Sequence, residues 1–144
     1  AGDVTDRDQF VYMAAYGAKL AARNALGGSE RYDNSAMPWV VFTDPQVAGV
    51  GLTEAQARKA GFNVKTSLIS LDKVDAETDR LLGGVIMASE GADSIQTLAM
   101  ALKFNMTAKA LGEMVFPYLT TVEGLKLAAQ SFDKDVAKLS CCAG

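Results

Sequence analysis

The sequence contains no histidine and only two cysteines among its 144 residues. Without histidine the chain cannot form a Ser-His or Cys-His nucleophile pair, a zinc site with imidazole ligands, or an imidazole acid–base catalyst. Two cysteines do not complete a four-thiolate zinc site, and they offer no disulfide framework, which fits a reducing cytoplasmic compartment. Several common catalytic and metal-binding classes are therefore excluded.

Positive charge and long apolar runs are also lacking. The formal net charge is −3, which argues against nucleic-acid binding because that function needs a basic face. No apolar run approaches the roughly 18 residues of a membrane span, and we expect neither a membrane segment nor a secretory leader. With 49% hydrophobic and 22% charged residues, the composition is that of a globular chain.

The hydrophobic pattern predicts an α+β fold, in which one helix precedes a small antiparallel sheet covered by a helical layer. A capping box at Asp6 and Gln9 predicts a first helix over residues 7–26, ended by Gly27 and Gly28. Only three or four strands are visible, and the acidic residues 72–79 suggest a solvated loop. The strands are predicted at residues 38–42, 47–51, 63–71 and 81–88.

Four further helices are predicted from their N-terminal signals. Thr53 with Gln56 forms one capping box, and Thr120 with Glu123 forms another, so Glu123 is interpreted as a cap rather than a catalytic acid. The other two helices begin near Asp93 and at Thr107. Trp39 is expected in the core, and four methionines are interpreted as core packing rather than thioether metal ligands. These methionines are Met87, Met100, Met106 and Met114.

Both cysteines lie next to each other, at Cys141 and Cys142. Neighbouring Cα atoms are about 3.8 Å apart, below the usual 4.4–6.8 Å of a disulfide, so a bridge between them would be strained and easily reduced. Two adjacent thiolates are instead well suited to binding one soft metal ion. The pair predicts a metal-binding dithiol.

Four segments carry a family resemblance. Residues 116–124 (FPYLTTVEG) together with Cys141-Cys142 resemble the mercuric reductases, which are FAD- and NADPH-dependent members of the pyridine nucleotide–disulfide oxidoreductase family. Residues 38–51 (PWVVFTDPQVAGVG) are similar to the start of that family's dimerisation domain. Residues 1–3 (AGD) and 9–12 (QFVY) resemble its second flavin motif and the helix that follows.

The resemblance implies an organisation and a set of roles. Residues 1–28 would be the C-terminal piece of an FAD-binding domain, and residues 36–144 a dimerisation domain with a dithiol tail. Asp3 would contact the flavin's ribityl chain, and the backbone at Val11 its ring. Tyr118 would line the catalytic site. In a homodimer, Cys141 and Cys142 would take Hg(II) from thiol complexes and pass it to the partner subunit's flavin site.

Two departures from the family qualify this interpretation. The flavin fingerprint, the nicotinamide domain and the Cys-x4-Cys redox pair are absent from these 144 residues, so the fragment alone should be inactive. We also expect about 20 residues, roughly a strand and a loop, to be missing between the segments matched by Leu71 and Asp79.

Two alternatives stay open. The chain could be a non-catalytic module that dimerises and binds soft metal. It could also belong to a reductase of organic disulfides, but those enzymes have a His where this chain has Phe116.

Overall fold

A computed structural model describes residues 1–67 and 73–133 of the chain. The chain divides into two compact units, the first from Ala1 to Asn34 and the second from Ser35 onward. No helix in these two described ranges is long and apolar enough to cross a membrane.

The first unit consists of a short 3-10 turn, Asp3–Thr5, and one long helix, α1, Val11–Ala25. The predicted start at Asp6 is wrong, because Asp6 takes a left-handed conformation (φ 53°) and α1 begins only after an extended Phe10. The predicted end is confirmed: Gly27 has φ 97°, and the Gly28 N–H donates to the Arg23 carbonyl at 3.0 Å.

The second unit is built on an antiparallel sheet of five strands in the order β1-β2-β5-β4-β3. The strands are β1 (Pro38–Val41), β2 (Gln46–Gly51), β3 (Val64–Thr66), β4 (Lys73–Asp75) and β5 (Leu81–Ala88). The prediction of three or four strands missed β4, because β4 lies inside the acidic segment that was interpreted as a loop. Its middle residue, Val74, is only 1% exposed.

The two faces of the sheet differ. Val40, Ala48 and Ile86 lie side by side across β1, β2 and β5, and they belong to the core or pack against it. Trp39 is only half-buried, which corrects the prediction that it belongs to the core. It lies directly opposite Gly49 in the register, and a Cβ atom at Gly49 would collide with its indole ring.

Within the described part of the second unit, four helices accompany the sheet: α2 (Glu54–Lys59), α3 (Gly91–Lys103), α4 (Ala108–Glu113) and α5 (Glu123–Gln130). The capping box of Thr53 and Gln56 is confirmed, and so is the cap of α4 by Thr107. The box predicted for Thr120 and Glu123 is wrong: the Thr120 hydroxyl donates to the Pro117 carbonyl, and α5 has no side-chain cap.

The core of the second unit combines residues of β2, β4 and β5 with residues of α3, α4 and α5. Its most completely buried large side chains are Ile95, Leu98, Leu111, Leu125, Val50 and Val74. The predicted α+β class, an antiparallel sheet with a helical layer, is therefore confirmed. The interpretation of the methionines holds only for Met106, which packs on the core, since Met87, Met100 and Met114 are 68%, 53% and 45% exposed.

Candidate functional site

Tyr118 lies in the segment that connects α4 to α5, and its side chain is 67% exposed. The connection is held at both sides of Tyr118. Phe116 packs against the core, and the Thr120 hydroxyl donates to the Pro117 carbonyl at 2.8 Å. Because its neighbours are fixed while it is exposed, Tyr118 presents its phenol on the surface of the second unit.

Cys141 and Cys142, the predicted metal ligands, lie outside the described residues. The described part of the chain ends at Asp133, eight residues before Cys141. Within the described ranges there is no group of three or more His, Cys, Asp or Glu side chains that could hold a metal ion.

Asp3 and Val11, the predicted flavin contacts, both belong to the first unit. Asp3 is the first residue of the 3-10 turn and is exposed. It follows Gly2, whose φ of 81° is unfavourable for any residue that has a side chain. Val11 is the first residue of α1, and the N-cap residue Phe10 makes no side-chain capping hydrogen bond. The first backbone N–H groups of a helix have no intrahelical acceptor, and the helix dipole favours an acceptor at this end. A carboxylate and helix N–H donors are suited to the hydroxyls of a ribityl chain and to the carbonyls of a flavin ring.

A cleft of about 390 Å³ lies within the first unit, lined in part by Gly2, Asp8, Met13 and Tyr32. Asp8 is its polar centre, since its carboxylate accepts hydrogen bonds from the Tyr32 hydroxyl at 3.1 Å and the Asn34 amide at 2.8 Å. The Arg7 guanidinium stacks over the Tyr32 ring, 4.9 Å from its centroid. These contacts fix Tyr32 and Asn34 against Arg7 and Asp8, which precede α1.

Asp8 also perturbs two phenols. Partial burial and the nearby Asp8 charge raise the pKa of Tyr12 above its ordinary value of 10.0. Desolvation, followed by the hydrogen bond to Asp8, raises the pKa of Tyr32. Both phenols therefore remain protonated at neutral pH.

The sequence did not reveal two polar contacts and one buried acid. Glu123 is only 4% exposed although it caps nothing. Ser67 and Ser131 share a hydrogen bond across 64 positions of the sequence, and Gln130 bonds to the Gly112 carbonyl. No local spacing signal could have connected such distant residues.

Comparison with known proteins identifies the second unit. The profile of the "Pyridine nucleotide-disulphide oxidoreductase, dimerisation domain" matches residues 37–75 and 73–129. Among solved structures, the HOCl-induced flavoprotein disulfide reductase RclA from Escherichia coli has a TM-score of 0.79 and 25% identity over 92% of this chain and 35% of its own.

Curated relatives are similar over the whole chain. A mercuric reductase from Bacillus cereus and one from Lysinibacillus sphaericus are each 48% identical, and the chain spans only 26% and 30% of their respective lengths.

The alignment also bears on the missing segment. It extends over 162 positions, 18 more than this chain has residues, and the two profile matches meet at residues 73–75. Both observations support the expected deficit of about 20 residues between the segments matched by Leu71 and Asp79. From the profile match, the chain belongs to the pyridine nucleotide–disulfide oxidoreductase family, and residues 37–129 form its dimerisation domain.

Proposed function

We propose that this chain is the C-terminal part of a homodimeric, cytoplasmic mercury(II) reductase that depends on FAD and NADPH. The observation that carries the proposal is the likeness to mercuric reductases over 100% of the chain, a span that includes Cys141 and Cys142. An adjacent dithiol is the ligand that the soft Hg(II) ion prefers.

In this proposal the dithiol collects the substrate. The thiolates of Cys141 and Cys142 displace the thiols that carry Hg(II) in the cell, so each new Hg–S bond forms as an old one breaks. The tail then hands Hg(II) to the redox dithiol of the partner subunit by the same exchange. Thiol-for-thiol exchange never releases the metal ion into water.

Two residues of the α4–α5 connection fit this chemistry. Phe116 occupies the place where related disulfide reductases have an acid–base His, and ligand exchange needs no such proton carrier. Phe116 instead packs on the core and fixes the connection. The exposed Tyr118, two residues further along the chain, provides a phenol oxygen that lines the path of the metal ion.

The first unit provides a flavin contact. Asp3 would hold the ribityl chain and the N-terminus of α1 at Val11 would face the ring. Bound FAD, reduced by NADPH, supplies the two electrons that convert Hg(II) to Hg(0). The flavin fingerprint and the nicotinamide domain expected of the family would lie in the part of the relatives that this chain does not span, since it covers 26% of the Bacillus cereus protein.

The decisive experiment uses the full-length protein that contains these residues. We expect Hg(II)-dependent NADPH oxidation with Hg(II) presented on bulky thiols, and we expect the double variant Cys141→Ala/Cys142→Ala to lose at least 10-fold in kcat/KM. A Tyr118→Phe variant keeps the aromatic ring and removes the phenol oxygen. A change in its kcat/KM therefore reports on contact between that oxygen and the metal ion rather than on packing of the ring.

Absence of a flavin absorbance near 450 nm and of NADPH oxidation, with tight Hg(II) binding retained, would contradict the reductase. That result would favour the non-catalytic, soft-metal-binding dimerisation module instead.

A further inference from the structure

The connection between α4 and α5 is tied to both ends of α5. We call this connection, residues 114–122, the arch. Its exit is continuous with α5, because the N–H groups of residues 123–125 donate to the carbonyls of residues 120–122 at 3.1–3.2 Å. Its entrance is tied to the opposite end of α5, where Gln130 Nε2 donates to the Gly112 carbonyl of α4 at 2.8 Å.

The length of α5 sets the distance between the two ends of the arch. Glu123 and Gln130 are the first and last residues of α5, and a helix rises 1.5 Å per residue, so these residues lie about 10 Å apart. Nine residues in extended form can span about 30 Å. The arch is therefore about three times longer than the gap it bridges, and its middle stands away from α5.

Tyr118 lies at the middle of the arch, as the fifth of its nine residues. From residue 114 to residue 120 every arch residue except Phe116 is exposed. Phe116 packs against the core and holds the first half of the arch from below. The position of the Tyr118 phenol thus depends on Phe116 and on the spacing of the two arch ends.

The entrance of the arch is closely packed. A Cβ atom at Gly112 would lie only 3.1 Å from Gln130 Cγ, so α4 and α5 approach each other here without room for a larger residue. The start of α4 is held separately, since Asp79 accepts hydrogen bonds from the N–H groups of Ala108 and Lys109, both at 2.9 Å. The side chain of Gln130 therefore fixes the end of α4, from which the arch departs.

We propose that Gln130 is a positioning residue for Tyr118, with α5 as the rigid spacer between the ends of the arch. The inference rests on the proposed function, because that function places the phenol oxygen on the path of the metal ion. Gln130 acts through Tyr118 and makes no contact with Hg(II). Without its hydrogen bond to Gly112 the spacing of the arch ends is no longer fixed, and the phenol moves off the path.

The test is a double-mutant cycle in the full-length protein. Its four forms are the parent, Tyr118→Phe, Gln130→Leu and the double variant. Leu keeps an apolar side chain of similar length against Gly112 and removes the donor. Two quantities are measured: kcat/KM for Hg(II)-dependent NADPH oxidation, and the NMR chemical shift of Tyr118 Cζ.

Gln46→Leu is the matched control, made in both the parent and the Tyr118→Phe background. It removes another hydrogen bond between a glutamine side chain and a helix backbone, in which the Ala92 N–H of α3 donates to Gln46 Oε1 at 2.9 Å. This bond holds the start of α3 rather than the arch. A general loss of stability would therefore appear in the Gln46 variant as well.

We expect Gln130→Leu to lower kcat/KM about fivefold when Tyr118 is present, the change that loss of one hydrogen bond predicts. In the Tyr118→Phe background the same substitution should change kcat/KM less than twofold, because the phenol that it misplaces is already absent. Gln130→Leu should also shift the Tyr118 Cζ signal. Gln46→Leu should act by the same factor in both backgrounds and leave that signal in place.

Two negative results are distinguishable. If Tyr118→Phe leaves kcat/KM of the parent unchanged, the phenol has no part in metal transfer, and the proposed function of Tyr118 fails together with the inference. If Tyr118→Phe lowers kcat/KM while Gln130→Leu acts equally in both backgrounds or leaves the Cζ signal in place, only the positioning role of Gln130 is overturned.

Discussion

Asp8 organises the polar contacts of the first unit. Its carboxylate accepts from Tyr32 and Asn34 and contributes to the raised pKa of two tyrosines. A phenol whose pKa is raised by folding holds its proton at a pH where the unfolded chain loses it. This contribution to stability is present below pH 10 and is lost as the pH rises through the folded pKa.

We therefore predict that Asp8→Asn lowers the pKa of Tyr32 and, to a smaller degree, that of Tyr12, because the carboxylate charge is removed while burial remains. Tyrosine Cζ chemical shifts followed by NMR between pH 8 and pH 12 measure both. Asp6→Asn is the matched control, since Asn tolerates the left-handed conformation of Asp6. If Asp6→Asn changed the pKa values of Tyr32 and Tyr12 as much as Asp8→Asn does, the role assigned to Asp8 would be contradicted.

At the scale of elements, the junction of β2 and β5 depends on a glycine. Gly83 pairs with Gly51, and a Cβ atom at Gly83 would collide with the carbonyl oxygen of Leu52. The colliding atom belongs to the backbone and cannot turn away as a side chain does. Close approach of the two strands thus requires glycine at this position.

Gly83→Ala should lower the free energy of unfolding by about 2–3 kcal/mol, the usual cost of forced overpacking. Gly124→Ala is the matched control. A Cβ atom at Gly124 meets open space, and Ala in α5 should stabilise the protein by about 0.5–1 kcal/mol. Urea unfolding of both variants measures the two changes in the free energy of unfolding. Changes of the same sign would contradict the conclusion that the junction of β2 and β5 requires glycine at position 83.

Elements with strong local signals were predictable from the sequence. β5 was predicted with its bounds, because eight apolar or small residues lie between polar turns, and α2 was predicted from its capping box. β4 was not, since three residues in an acidic segment form a strand only through pairing with β3 and β5. The Thr120–Glu123 box failed because α5 begins only at Glu123 with Val122 as its N-cap, so Thr120 lies too early in the chain to cap it.

The features of the candidate site also fall into those that the sequence predicts and those that it does not. The dithiol, Tyr118, Asp3 and Val11 were named from short motifs, because a motif keeps its chemistry within a few residues of sequence. Their roles stay predictions. The hydrogen bond between Ser67 and Ser131 was not predictable, since these residues lie 64 positions apart and only the folded sheet and helices bring them together.

At the scale of the whole molecule, the two units differ in how much they bury. Among the residues that the structure describes, all thirteen members of the hydrophobic core belong to the second unit. In the first unit Met13 is the only buried hydrophobic residue. A segment of 34 residues is also well below the size at which a chain normally supports its own core. The second unit therefore contributes most of the chain's own stability.

We predict that a chain beginning at Ser35 keeps the fold and the thermal midpoint of the second unit within about 3 °C, because its core is complete without residues 1–34. Leu98→Ala, which empties a fully buried site on α3, should lower the free energy of unfolding of both the long and the short chain by about 3 kcal/mol. Circular dichroism melting of the four proteins measures this. Failure of the short chain to fold, or an effect of Leu98→Ala in the long chain only, would show that the first unit is needed to complete the core.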